Sequence, residues 1–293
     1  MKRPDFFILG APKAGTTTLA NWLSEHSQIF VSPLKEPQFF NWDFCHRSTR
    51  SFREYEALFE AATVDHVAVG EASTRYLYSR TAVPAILRYA ENPRFIVMLR
   101  DPVELAYSLH DQTVFDGEET ERDFENAWDL QQVRIYGDQV PRFCADPQLL
   151  MYGPLCRLGE QLERLLTLVP RESVLLINLE HVRAAPLREY RRVLDFLGVS
   201  YDGRTIFPLA NPAKERRFPG LWRTVQAGNR ALRALGVPPV RIGATRLLYR
   251  WDKKPRARQP LGDGMRARLR AYFADDVARI EGISGWDLSH WKE

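Results

Sequence analysis

Residues 6–23 read "FFILGAPKAGTTTLANWL": a short apolar run, a glycine-rich loop and an amphipathic stretch. Gly10 and Gly15 have the spacing of the nucleotide-binding P-loop, G-x-x-x-x-G-K-[ST], and Thr17 stands where that motif wants Ser or Thr. The motif's lysine position is occupied by Thr16, and the loop's lysine, Lys13, lies between the two glycines. A glycine-rich turn after a strand aims successive backbone N–H groups into one concavity. The N-terminus of the following helix adds partial positive charge, so the pair is suited to a phosphate. Thr16, Thr17 and Thr18 add hydroxyl donors. A strand–helix turn with no ligand is the plainer alternative, but a turn alone does not require a lysine, a glycine and three threonines.

Working outward from this stretch, apolar runs bounded by turn signals recur as "VAV" (67–69), "FIVML" (95–99) and "VLLIN" (174–178), joining "FFIL" (6–9). They have the composition of strands buried on both faces. Helical spacing separates them at about 15–24, 82–91, 102–115, 150–168 and 187–197. The alternation predicts an α/β fold: a P-loop-type parallel sheet flanked by helices. Ligands of such sheets gather at the carboxyl ends of the strands. Those ends carry Gly10, Gly70-Glu71 and Arg100-Asp101.

The chain has 293 residues, 45% hydrophobic and 27% charged, which is ordinary globular composition. Its formal net charge of +4 suits an anionic ligand and does not argue for nucleic acid. Cys45, Cys144 and Cys156 are odd in number and lack C-x-x-C spacing, so neither a disulfide framework nor a zinc site is expected. The apolar run after Met1-Lys2-Arg3 is too short for a secretory signal, and no segment approaches a membrane span. The expectation is a soluble, cytoplasmic protein. Its domain organisation reads as one domain over 1–293, with a basic, Pro/Gly-interrupted insertion at about 211–261 and a C-terminal helix returning to the core. The oligomeric state is open at this level.

In a P-loop NTPase, lysine follows the second glycine and a strand-end aspartate helps to hold Mg²⁺. Here Thr16 replaces that lysine, and "FIVML" ends in Arg100. A cation at that strand end repels a metal ion and attracts an anion. The pattern predicts a doubly anionic nucleotide bound without a metal.

These motifs together carry a resemblance. "GAPKAGTTTL" (10–19) resembles the 5′-phosphosulfate loop of sulfotransferases that use 3′-phosphoadenosine 5′-phosphosulfate (PAPS). "RDPVELAYS" (100–108) resembles their 3′-phosphate motif, an arginine after a strand with a serine eight residues on. "KEPQFFNWD" (35–43) is similar to the segment after the second strand in the heparan-sulfate type and its bacterial relatives. "LRAYFADDVARIEGISGWDLSHW" (269–291) is similar to their closing helix. The resemblance implies transfer of a sulfuryl group from PAPS to an acceptor hydroxyl of a saccharide, glycolipid or natural-product alcohol. Adenosine 3′,5′-bisphosphate would be released, and no metal is needed.

The resemblance also assigns roles. Lys13 would stabilise charge on the departing group, with Ala14, Gly15, Thr16, Thr17 and Thr18 around the 5′-phosphate. Arg100 and Ser108 would hold the 3′-phosphate, Arg100 by its planar fork of donors. Glu36 would be the general base, since a neutral alcohol is a poor nucleophile. A carboxylate there needs protection from phosphosulfate repulsion, which Lys13 or Lys35 can supply. A plain Lys35–Glu36 surface pair is the competing reading, and His110 is a rival base. Lys254, Arg256 and Arg258, in "DKKPRARQP" (252–260), are candidates for the 3′-phosphate by their place in the chain. Phe39, Arg75 and Tyr76 are candidates for the acceptor side. "GEASTRYLYS" (70–79) departs from glycosaminoglycan-modifying members, which carry lysine where this chain has Ala72. That counts against a glycosaminoglycan acceptor, and Arg75 is positioned in sequence to supply the missing charge. The basic, amphipathic 221–250 segment suits an anionic membrane surface or an acidic acceptor, or is a plain surface helix. Two other functions remain open: a P-loop small-molecule kinase, and a non-catalytic binder of an anionic nucleotide or glycan.

Overall fold

The computed structural model describes residues 2–45, 47–142, 144–209, 214–216, 253–255 and 260–293. The chain divides into two compact units: 1–106 with 153–210 and 263–293, and 107–152 with 211–262.

The first unit is built on a parallel sheet. Its strands are β1 (Phe6–Gly10), β2 (Ile29–Val31), β3 (Ala68–Ala72), β4 (Arg94–Leu99) and β5 (Val174–Asn178), in the order β2-β3-β1-β4-β5. Every residue of β1 and β3 is buried. A parallel sheet covered on both faces needs that composition, because neither face meets water. The middle strands pack closely: β1 pairs Phe6 with Gly70, and a Cβ at Gly70 would lie 2.4 Å from the Phe6 carbonyl oxygen. On its other side β1 runs with β4, and the register shifts between Ile8 and Gly10 as the strand ends.

The helices of this unit follow from apolar spacing and local capping. In α1 (Thr16–Ser24), Leu19, Ala20, Trp22 and Leu23 are buried. Ser51 caps α2 (Phe52–Ala57) by accepting from the Glu54 N–H. After α3 (Ala82–Tyr89) and β4 comes α4 (Pro102–Asp116), begun by Asp101, whose Oδ1 accepts from the Val103 N–H at 2.8 Å.

The single helix expected over 150–168 is a correction. The structure has a 3₁₀ turn (Pro147–Leu150), α7 (Tyr152–Cys156) and α8 (Leu158–Leu166). Pro154 offers no N–H to a continuing helix, and Arg157 turns out of helical geometry at ψ 74°. The new N-terminus is satisfied from far along the chain. Asp276 accepts from the Gly159 N–H at 2.8 Å and the Glu160 N–H at 2.9 Å. Asp276 belongs to α11 (Asp263–Ser284), whose buried face also carries Met265, Leu269, Phe273, Val277 and Ile280. That spacing is one helix face, so the C-terminal helix packs along α8. Between them in sequence lie α9 (Leu179–Ala184) and α10 (Pro186–Leu197), the latter closed by Gly198 in the left-handed region.

The second unit holds α5 (Phe124–Asp129) and α6 (Gln131–Arg134), and a short antiparallel pair, β6 (Lys214–Arg216) with β7 (Lys253–Pro255). Its buried polar centre is Glu119. Arg134 meets Glu119 through both terminal nitrogens, at 2.5 and 2.9 Å, and Tyr152 donates to the same carboxylate at 2.9 Å. The Thr120 and Glu121 N–H groups complete its shell. Both charged side chains are essentially inaccessible to water. Burial raises the Glu119 carboxyl, but Arg134, the Glu121 N–H and Tyr152 outweigh it and leave it below its ordinary value.

Removing one member of such a pair leaves the other charge buried without compensation. Glu119→Ala should therefore cost about 3–5 kcal/mol in urea denaturation. A loss below about 1 kcal/mol, the range of exposed pairs, would show that the pair is not dehydrated as described.

Candidate functional site

The site is assembled at the carboxyl ends of β1, β3 and β4. The chain leaves β1 through Gly10, where φ is 149° and an added Cβ would sit 2.7 Å from the Thr74 carbonyl oxygen. It enters α1 through Gly15, the N-cap residue, at φ 93°. There a Cβ would meet Leu179 Cδ1 at 2.9 Å and Met98 Cε at 3.3 Å. Both glycines are thus demanded by backbone conformation and close packing together. No side chain caps α1 at Gly15, and its first turn carries no acidic residue. Its N-terminal partial positive charge therefore meets no competing protein anion within that turn. Thr16 and Thr18 are buried, while Lys13, Gly15 and Thr17 are half-buried.

Lys13 adopts the left-handed region at φ 62°. Its carbonyl accepts from Arg100 Nη1 at 3.0 Å, so the end of β4 directly holds the loop. Arg100 also lies 3.8 Å from Glu104, which in turn meets Arg266 of α11 at 3.1 Å. The structure thereby brings Lys13 and Arg100 together. Ser108 is buried on α4 and falls in the second unit, as does His110. His110 has its Nε2 2.9 Å from the Glu121 carbonyl oxygen, and burial pushes its pKa down.

Glu36 lies on a strap, 35–41, that crosses the end of β3. Its N–H donates to the Ala72 carbonyl at 2.9 Å. Glu36 and Gln38 both adopt positive φ, 63° and 53°. Two non-glycine residues in that region within three positions mark a backbone that its surroundings must hold. The Glu36 carboxylate is half-buried and has named partners. Lys35 Nζ donates to one oxygen and Gln38 Nε2 to the other, each at 2.8 Å, and Asn41 orients Gln38 through a 2.9 Å bond. Burial raises the Glu36 carboxyl, yet Lys35, Arg75 and Gln38 together bring it below its ordinary value. It is ionised at neutral pH. Arg75 acts on it through charge, lies 5.7 Å from the Phe44 ring, and has a buried Nη1 with no hydrogen-bond partner among the described residues.

Phe39 and Tyr76, expected at an acceptor surface, are in the core instead. They are 3% and 0% exposed. Phe39 stacks on Tyr55 at 4.7 Å, and Phe40 meets Tyr55 at 5.0 Å and Phe7 at 6.2 Å. The apolar drive that buries adjacent aromatics leaves neither a face for a ligand. Lys254 lies in β7, opposite Glu215 in register. Arg256 and Arg258 lie outside the described residues, as does the whole basic 221–250 segment.

Glu71, expected just past the apolar run 67–69, lies within β3 and is fully buried. Its carboxyl accepts from Ser73 Oγ at 2.6 Å and from the Tyr55 and Tyr76 hydroxyls at 2.9 Å each. Burial pushes it up to about 7 against these three donors. The signal available in sequence was a carboxylate inside an otherwise uncharged strand, "VAVGEA". The hydroxyls that satisfy it come partly from α2, which no local pattern connects to β3.

Among the described residues, no group of three or more His, Cys, Asp and Glu is arranged to hold a metal ion, and no helix is long and apolar enough to cross a membrane. Comparison with known proteins agrees with the geometry. The family model described as "Sulfotransferase domain" matches residues 3–211, and the chain belongs to this family. A membrane-associated sulfotransferase of Dictyostelium discoideum is 31% identical over 110 residues, covering 36% of this chain and 22% of the relative. The bifunctional heparan sulfate N-deacetylase/N-sulfotransferase 3 of Mus musculus is 28% identical over 206 residues, covering 67% of this chain and 22% of the relative. The mouse heparan sulfate glucosamine 3-O-sulfotransferase 3A1 is 26% identical, covering 67% and 46%. The chain thus spans less than half the length of these relatives. The crystal structure of a sulfotransferase from Alicyclobacillus acidocaldarius superposes with a TM-score of 0.74 at 27% identity, over 100% of both chains.

The raised Glu71 carboxyl makes a stability prediction whose sign follows from linkage. A carboxyl that keeps its proton to about pH 7 when folded, against an ordinary 4.5, binds more protons folded than unfolded in that interval. Its contribution is full below about 4.5 and is lost as pH rises through about 7. Wild-type stability relative to Glu71→Gln should fall over this window by on the order of 3 kcal/mol. A flat difference between the two melting curves across pH 4–8 would refute the buried assignment.

Proposed function

We propose that this chain transfers a sulfuryl group from PAPS to an acceptor hydroxyl of a saccharide, glycolipid or natural-product alcohol. The observation that carries this reading is the loop at α1: an N-terminus with no side-chain cap, three threonines, a lysine displaced into the loop, and Arg100 bonded to that lysine's carbonyl. This is an anion site organised by cations, at the place where a kinase would have its lysine and metal ligand. PAPS would supply the sulfuryl group and leave as adenosine 3′,5′-bisphosphate. Lys13 would offset the charge developing on the departing phosphate, the kind of preorganised electrostatic stabilisation that is largest in a dehydrated site. The backbone N–H groups and hydroxyls of 15–18 would hold the 5′-phosphate, with Arg100 toward the 3′-phosphate.

Glu36 would take the acceptor proton as the acceptor oxygen forms its bond to sulfur and the sulfur–oxygen bond to the 5′-phosphate breaks. Its lowered pKa keeps it in the basic form at neutral pH. Lys35 and Arg75 reduce its repulsion of an anionic donor. The relatives named for heparan sulfate make a glycan the first acceptor to try. Ala72, where glycosaminoglycan-modifying members carry lysine, directs the screen toward other alcohols as well.

The test is calorimetric titration with adenosine 3′,5′-bisphosphate, with and without Mg²⁺, beside ATP and ADP. Metal-independent binding that requires the 3′-phosphate is expected, weakened by Lys13→Ala. Preference for Mg-ATP, or no nucleotide binding, overturns the reading. With labelled PAPS and an acceptor panel of desulfated heparan oligosaccharides, glycolipids and phenols, Glu36→Gln should lower turnover by about 10²-fold or more, as expected for loss of a general base. Its affinity for adenosine 3′,5′-bisphosphate should stay within twofold. Undiminished turnover would remove Glu36 as the base.

A further inference from the structure

We propose that Glu71 is the positioning residue of this site, a buried carboxylate that acts through Ser73 and Tyr76 to hold the 36–40 strap in the conformation presenting Glu36. The inference rests on the sulfotransferase reading for what Glu36 does, and on geometry alone for how Glu36 is held.

The strap's backbone is tied down by side-chain oxygens. Gln38 N–H donates to Ser73 Oγ at 3.0 Å. Phe39 and Phe40 N–H groups donate to the Tyr76 hydroxyl at 2.9 and 3.3 Å. A hydroxyl has one proton, and here its lone pairs must face the strap, so that proton must be directed elsewhere. Both protons go to Glu71: from Ser73 Oγ at 2.6 Å and from Tyr76 at 2.9 Å. Above about pH 7 Glu71 is ionised, and a carboxylate only accepts. It therefore sets the direction of both hydroxyls, and with it their ability to receive the strap's N–H groups. A reversed Ser73 hydroxyl would point its proton at the Gln38 N–H and break that tie. Gln38 is also the side chain that donates to Glu36 Oε2. A continuous chain of bonds thus runs from Glu71 to the carboxylate of Glu36. Tyr55 donates to Glu71 at 2.9 Å and touches no strap N–H, which makes it an internal control.

The relay belongs to the ionised carboxyl. Glu71 keeps its proton up to about pH 7, whereas Glu36 loses its own below its ordinary value, so the strap is compared above pH 7, where both are ionised. If Glu71 holds the strap, Glu71→Gln frees the N–H groups of 38–40 there; a simple charge effect leaves those bonds in place. The groups facing Glu36 are Lys35, Arg75 and Gln38, with Glu71 behind the strap.

The experiment uses the full chain without ligand. Hydrogen exchange at about pH 8, where Glu71 is ionised, reads the amides of Gln38, Phe39 and Phe40 in wild type, Glu71→Gln, Tyr76→Phe and Tyr55→Phe. Unchanged exchange at Ile96, Val97 and Met98 of β4 checks that each variant is folded. The expected result is at least tenfold faster exchange at 38–40 in Glu71→Gln, and at 39–40 in Tyr76→Phe. The Tyr55→Phe rates should stay within twofold of wild type. Wild-type protection of the strap in Glu71→Gln overturns the proposal. Should Glu71→Gln not fold, Tyr76→Phe decides: unchanged exchange at Phe39 and Phe40 overturns the relay. Titration of the same samples with adenosine 3′,5′-bisphosphate keeps the two readings apart. Strap release in Glu71→Gln, with a wild-type chain that binds no bisphosphate, sinks the function and leaves the positioning role. Normal bisphosphate binding with an undisturbed strap does the reverse.

Discussion

A parallel sheet covered on both faces has no polar face, so its polar chemistry is pushed to the strand ends. Glu71 is the exception on which much of this site depends. A carboxylate within a wholly buried strand can be kept only by donors that meet it. Tyr55, Ser73 and Tyr76 provide them. Satisfying Glu71 places α2 and the 73–76 turn against β3, and brings the Phe39-Phe40 pair over Tyr55. The strap that bears Glu36 is then a consequence of how one buried carboxyl group is met by protein donors.

The loop after β1 depends on a different constraint. Gly10 and Gly15 remove side chains where Thr74, Leu179 and Met98 come close. No side chain caps the helix that the loop enters. Arg100 ties its carbonyl to the end of β4. A cation that grips the loop and shares Glu104 with α11 through Arg266 links three distant segments of the first unit. The Asp276 cap on α8 repeats the theme: orphaned N–H groups of one helix are satisfied from another more than a hundred residues away.

Legibility in the sequence tracked how local each cause was. The runs at 6–9, 95–99 and 174–178 were readable as strands because both of their faces are apolar. The β2 strand, Ile29–Val31, is three residues long and left no pattern. The 150–168 stretch kept helical spacing across a break, since Pro154 interrupts the backbone without disturbing the apolar periodicity. Gly10, Gly15, Lys13 and Arg100 were visible as a constellation because their roles follow from adjacency to strand ends. Phe39 and Tyr76 were misread, because aromatic side chains look the same in sequence whether they pack or bind.

The sequence by itself determined the α/β alternation, the displaced lysine, the arginine at the end of β4 and the family to which they point. Each is written in residue types at short spacing, where backbone conformation and hydrophobic periodicity act. Only the tertiary structure decided that Lys35 pairs with Glu36, that Arg75 bears on it through charge, and that Glu71 holds the strap through two hydroxyls. The last two depend on which groups meet a carboxylate across elements distant in the chain, and even the adjacent Lys35–Glu36 pair was only one of the readings open in the sequence. Hydrogen-bond direction in a buried network is a property of three-dimensional contact, with no period along the chain to reveal it.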